Sequence, residues 1–188
     1  MYRGLLLSVL ALALGLGSLV DGATIVWVSD NKTPANTVPA DQAWVDLLTA
    51  QGYTVNLDFR AQQGRSLSTA EVDVLNAADL IIISRDINSG DYSSNAAEVT
   101  QWNGITTPIL VQIAHFAQNN RWKWMNNGSN ASAQPKLEAV LPKHPVFTDV
   151  SLGANNQIDV LTTNCSFIST GNAGNGTLIA KRADNGQA

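Results

Sequence analysis

The chain has 188 residues, enough for one ordinary domain with a sizeable core. Charged residues make up 14 % and the formal net charge is −4. No basic cluster occurs, which excludes the electrostatic footprint of a nucleic-acid binder and gives no cationic face for an anionic membrane.

The N-terminus reads as an export signal. MYR supplies one positive charge, GLLLSVLALALGLGSLV runs through residues 4–20 without a charge, and small residues follow around VDGA. That order is the basic, apolar and cleavage-zone order of a secretory signal, here residues 1–22, cut after Gly22. A retained membrane anchor is the alternative, for which the apolar run is slightly short. No cysteine lies near the cleavage zone, which argues against a lipid anchor. The remainder, 23–188, reads as a single α/β domain.

From residue 24 onward strands alternate with helices. TIVWVS (24–29) is a β-branched apolar run and reads as a buried strand. A loop with two prolines, NKTPANTVPA, leads to the helix DQAWVDLLTAQG, with Trp44, Val45, Leu47 and Leu48 on one face and Gly52 as its stop. YTVNLDF (53–59) alternates as a second strand. STAEVDVLNAAD opens with Ser68 and Glu71 at capping-box spacing, and Val72, Val74 and Leu75 supply the apolar face of a second helix. DLIIIS (79–84) is the third and most apolar strand, AAEVTQWNG a short helix, and PILVQIA (108–114) the fourth strand.

This alternation implies right-handed βαβ units and a parallel sheet covered on both faces. The expected fold is α/β, a doubly wound, mainly parallel, flavodoxin-like three-layer sandwich. After residue 130 the pattern shortens. PKLEAVLP reads as a short helix, and IDVLTT, CSFIST and TLIAKRA read as strands of a more antiparallel region. Asp184-Asn185-Gly186 is a favoured hairpin turn with two residues after it, so the chain is expected to continue beyond Ala188 as a fragment or N-terminal module. Cys165 is the only cysteine and reads as a small buried side chain of a strand.

In an open parallel sheet, ligands sit beyond the carboxyl ends of the strands. That rule selects Ser29, Asp30, Asn31 and Lys32 after the first strand, and Ser84, Arg85, Asp86 and Asp91 after the third. After the fourth it selects His115 and Gln118. The sharpest catalytic arrangement is a hydrolytic Ser84–His115–Asp30 triad, a hydroxyl activated by an imidazole that a carboxylate orients. No G-x-S-x-G elbow is present to display the serine. Asn31, Arg85, Asp86, Gln118, Trp122 and Trp124 are the candidate ligand-binding residues. Arg121-Trp122-Lys123-Trp124 offers stacking on a sugar face, against the plainer reading that one tryptophan packs on the sheet. Each polar member also has a plainer role as a loop cap, an ion pair or a packed histidine.

No metal and no cofactor is expected. Two histidines and one cysteine, widely spaced, do not make a zinc site, and SDNKT lacks the glycine of a phosphate loop. DINSGDY (86–92) spaces oxygen side chains as a calcium loop does, out of phase with the EF-hand order. N-x-[ST] sequons begin at Asn31, Asn127, Asn130, Asn164 and Asn175 and matter only in a glycosylating host.

The order WVSD, DQAWVDLL, ADLIIISR, TPILVQIAHF and HPVF (144–147) resembles the class I glutamine amidotransferase-like superfamily, especially its ThuA-like and related secreted bacterial branches. The resemblance spans roughly residues 24–180 and implies a flavodoxin-like sandwich with its site at the strand ends. Its nucleophile would be a cysteine after a central strand, and TPILVQIAHFAQ contains none. The expected function is therefore an exported, non-catalytic binding module for a carbohydrate or for another domain of a longer exported protein. It has no nucleic-acid partner and no membrane contact beyond the signal. The alternatives are a hydrolase using His115 with Asp30 or Ser84, and a purely structural module.

Overall fold

The computed structural model describes residues 22–29, 42–57, 59, 66–85, 87–126, 130–133, 136–159, 165–170, 172–174, 176–184 and 186. Residues 1–21 of the signal segment, Asp30, Asn31, Lys32, Asp86 and four of the five sequon asparagines lie outside the described residues. Two compact units divide between Ile113 and Ala114.

The first unit is built on four parallel strands, β1 (Thr24–Val28), β2 (Thr54–Asn56), β3 (Leu80–Ile83) and β4 (Ile109–Val111), in the order β2-β1-β3-β4. β1 and β3 are the inner pair. All four residues of β3 are buried, as are four of the five in β1, which is why both read as unbroken apolar runs. Their register is Ile25↔Leu80 through Val28↔Ile83, and Ile83 pairs onward with Val111. The chain leaves β1 outward to β2, then returns past β1 to β3 and β4. With right-handed crossovers that reversal places α1 (Gln42–Ala50) on one face and α2 (Thr69–Asn76) and α3 (Ala96–Asn103) on the other. The fold is thus α/β and doubly wound.

Local chemistry sets the helix limits. Gly52, at φ 91°, stops α1 as expected, because a residue without Cβ enters the left-handed region at no steric cost. The capping box of α2 is formed: Ser68 Oγ accepts from Glu71 N–H at 3.3 Å, and Glu71 Oε2 accepts from Ser68 N–H at 2.6 Å. Its apolar face is narrower than the sequence suggests, since Leu75 is buried while Val74 is 41 % exposed. α2 and α3 are clamped at both ends. The Gln101 side chain accepts from Leu67 N–H at 2.7 Å and donates to Leu67 O at 2.8 Å, and Asn76 Oδ1 accepts from Thr106 N–H at 2.9 Å.

The second unit is antiparallel, as expected. β5 (Asn130–Ala133) pairs with β8 (Cys165–Ile168). β6 (Lys136–Ala139) lies between β7 (Gln157–Asp159) and β9 (Ala180–Arg182). Within PKLEAVLP, Lys136–Ala139 is therefore a strand, not a helix. Alternation decides it. Lys136 and Glu138 project to one face, where they meet Asp159 at 3.7 Å and Lys181 at 3.2 Å from their register partners. Leu137 and Ala139 take the other face, and Ala139 is buried.

Glu138 and Lys181 are opposed in register across β6 and β9. Glu138→Lys, which sets two ammonium groups opposite each other, should lower unfolding stability in urea by about 1 kcal/mol. Adding Lys181→Glu should restore most of that loss, and 1 M salt should shrink the difference.

Candidate functional site

In the first unit three polar side chains follow directly on the paired strand ends. Ser29 succeeds β1, Ser84 succeeds β3 and Gln112 succeeds β4. The ladder runs one residue past the strands, with Ser84 N–H donating to Val28 O at 2.9 Å and Gln112 N–H to Ile83 O at 3.0 Å. Residues in register across parallel strands present their side chains to the same face, at a strand spacing of about 4.8 Å. The three therefore form a row across the mouth of β1, β3 and β4. Ser29 is 1 % exposed, Ser84 is wholly buried and Gln112 is half-buried. Gln112 Oε1 is withdrawn from solvent and accepts no hydrogen bond.

This corrects the reading of the fourth strand. The run 108–114 was expected to deliver His115 and Gln118, but the strand ends at Val111 and Gln112 holds the mouth position. The apolar pattern continues through Ile113 and Ala114 after the backbone has left the sheet. His115 and Gln118 belong to the second unit. Arg85, one residue past Ser84, is exposed. Asp30, Asn31 and Asp86 are outside the described residues.

The loop after β3 is built around Tyr92, which is 1 % exposed. Its ring meets Trp102 edge-on at 6.0 Å, and Trp102 meets Phe59 at 6.4 Å. Asn88 Oδ1 accepts from Gly90 N–H at 3.1 Å, so an oxygen that the calcium reading would have used closes a tight turn. No group of three or more His, Cys, Asp or Glu side chains able to hold a metal occurs among the described residues.

Sequence reasoning missed Glu98. It lies in the first turn of α3, where Asn95 Oδ1 caps its N–H at 2.9 Å, and it is 1 % exposed. Glu98 Oε2 accepts from both Ser94 N–H and Ser94 Oγ–H at 2.9 Å, while Oε1 accepts no hydrogen bond. Burial pushes the carboxyl above its ordinary range, the Ser94 bonds offset part of that, and the nearby Asp91 charge adds to the rise. The spacing Asn95-x-x-Glu98 was a visible capping signal, although spacing does not reveal burial.

The second unit holds the Trp-rich segment. A 3₁₀ turn at Ala114–Ala117 begins it, and the chain folds back on that turn. Trp122 N–H donates to Phe116 O at 3.0 Å, Lys123 N–H to Gln118 O at 2.9 Å and Met125 N–H to Ala117 O at 2.8 Å. Three rings make a column. Phe116 and Trp122 stand edge-on at 4.6 Å, and Trp124 lies 5.3 Å from Trp122. Phe116 and Trp122 are buried, whereas Trp124 is only half-buried. Trp122, expected as a ligand contact, is thus core: a ring 1 % exposed has no face for a sugar. Gln118 is buried at 7 % and His115 is half-buried. Lys123 reverses the chain between the two tryptophans at φ 62°.

A glycine holds the outer tryptophan. Gly174, at φ 60°, packs so closely that a Cβ there would lie 2.8 Å from the Trp124 carbonyl oxygen. Asn172 Oδ1 accepts from Gly174 N–H at 2.8 Å and fixes the approach. His144 of the H-P-V-F segment has a local task as well, with its Nδ1 accepting from Val146 N–H at 3.3 Å to cap a short 3₁₀ turn.

Comparison of the chain with protein-family models, curated proteins and solved structures finds no match. No described helix is long and apolar enough to cross a membrane.

Two variants check this geometry. Gly174→Ala should cost about 1–3 kcal/mol of unfolding stability, from left-handed strain plus the contact with Trp124, and should shift tryptophan emission. Glu98 makes stability fall with rising pH. The folded state binds more protons than the unfolded state between the ordinary carboxyl value of 4.5 and its raised value, so the contribution is full below that window and is lost through it. Glu98→Gln should flatten the decline, read by urea unfolding at a series of pH values.

Proposed function

We propose that the chain is an exported carbohydrate-binding module rather than an enzyme. Trp124 carries this reading, as a half-buried indole at the outer end of a column whose inner rings are core. A ring fixed by packing loses little entropy when a sugar face stacks on it. Backbone bonds from Trp122 and Met125 and the close approach of Gly174 hold it in place. The sparsely charged, Asn- and Ser-rich composition suits a neutral polyhydroxylated ligand, and the N-terminal signal pattern supports export.

The likeness to ThuA-like members of the class I glutamine amidotransferase-like superfamily is part of the proposal. The parallel order β2-β1-β3-β4 agrees with it. Gln112, Ile113 and Ala114 follow the fourth strand, and none carries a thiol for that family's chemistry. The hydrolase alternative has less support, because Ser84 is wholly buried.

Binding to a glycan array and to polysaccharide affinity gels tests the proposal. Trp124→Ala should weaken binding at least about tenfold, equivalent to 1.4 kcal/mol. Trp122→Ala should instead unfold the second unit, with a core loss of about 3–5 kcal/mol. Retention on no polysaccharide, or full binding by Trp124→Ala, would contradict it.

A further inference from the structure

We propose that the export cut falls between Gly22 and Ala23 and that Asp79 holds the α-ammonium it frees, so that processing gives the first unit a terminal ion pair. Neither half depends on the carbohydrate reading. Val20-Asp21-Gly22 supplies the small residues of an A-x-A-like cleavage triplet, which suits a cut after Gly22. The fold marks the same bond independently. Ala23 is 3 % exposed, and its carbonyl already accepts from Thr54 N–H at 3.0 Å, one residue before β1 begins. Gly22 lies outside this ladder. It is exposed, its φ is 91°, and a Cβ there would meet nothing within 4 Å. The first backbone fixed by the sheet is therefore that of the residue the cut would leave as the terminus.

Asp79 is placed to receive the new charge. Thr24 N–H donates to Asp79 Oδ2 at 2.7 Å, and Asp79 N–H donates to Thr24 O at 2.9 Å. In a trans peptide the Thr24 N–H points to the same side as Ala23 Cα, so Oδ2 sits about 3.5 Å from that carbon. The Ala23 nitrogen is one bond further and hence at most about 5 Å from Oδ2, within the range where opposite charges favour each other. Among the described residues 22–24, 53–54 and 79–80, which begin β1, β2 and β3, Asp79 carries the one charge. Hydrolysis adds water across the Gly22–Ala23 bond, leaving a carboxylate on Gly22 and an ammonium on Ala23, with an endopeptidase of the export machinery as catalyst. That enzyme needs free backbone on both sides of the bond. Ile25, Val26, Trp27 and Val28 are at most 1 % exposed in the sheet, so the cut precedes the docking of β1.

The full chain expressed in a secreting host tests the cut, by intact mass and N-terminal sequencing of the exported product. The product should begin at Ala23. A product that begins elsewhere, or that retains residues 1–22, overturns the proposal. Urea unfolding of the exported chain tests the ion pair. Asp79→Asn keeps an acceptor for Thr24 N–H and removes the charge, and it should lower the folding constant about two- to fivefold. A chain that keeps Gly22 as its first residue carries its ammonium outside the sheet. It should lose a similar factor, and Asp79→Asn should then cost little more. Equal Asp79→Asn losses in the two chains, or no loss in either, overturn the pair. If Asp79→Asn does not fold, the Gly22-first chain decides alone, and a folding constant equal to that of the Ala23-first chain overturns the pair. Uncut chain refolded in detergent should resist the purified endopeptidase, and ready cleavage of it would contradict the order of cutting before docking.

Discussion

The burial of β1 and β3 against each other governs the first unit. Val26, Trp27 and Val28 stand beside Ile81, Ile82 and Ile83, all at most 2 % exposed. Parallel strands covered on both faces leave no place for a polar side chain along their length. Polar residues are displaced to the strand ends, and the register that buries the apolar pairs also aligns what comes next. Ser29, Ser84 and Gln112 form a row because Val28, Ile83 and Val111 are paired.

The second unit uses a different device. Its strands are short and antiparallel, and charge pairs join β6 to its register partners Asp159 and Lys181 on either side. Aromatic packing orders the segment that begins it, where Trp122 is given up to the core and Trp124 is half-buried. Glycine at position 174 is required by that arrangement, since any side chain there would push against the Trp124 carbonyl. Rigidity and exposure thus meet at one indole, which is the combination a stacking surface needs.

Much of the fold was legible in the residues, for a physical reason. Unbroken β-branched runs have few alternatives to a buried parallel strand, and Ser68 with Glu71 declares a helix start by hydrogen-bond geometry alone. Where two periods overlap, local pattern loses to pairing. Leu137, Ala139, Val140 and Leu141 fit a helix face nearly as well as a strand, and the charges opposite Lys136 and Glu138 decide the matter. The end of β4 was hidden because Ile113 and Ala114 prolong the apolar run beyond the sheet. The site was less legible than the fold. Two tryptophans separated by one residue look alike in sequence, and only packing shows that Trp122 is core. Glu98 and Gln112 read as ordinary surface residues, and nothing in their spacing announces that a carboxylate and an amide oxygen are shut away from water.

Binding through one fixed, partly open indole is the claim on which the function stands. The five tryptophan indole N–H resonances, followed while a neutral oligosaccharide is added, address it directly. The Trp124 signal should move saturably while those of the buried Trp27 and Trp102 stay in place. A saturable shift confined to other tryptophans, or no shift with any neutral sugar, would contradict it.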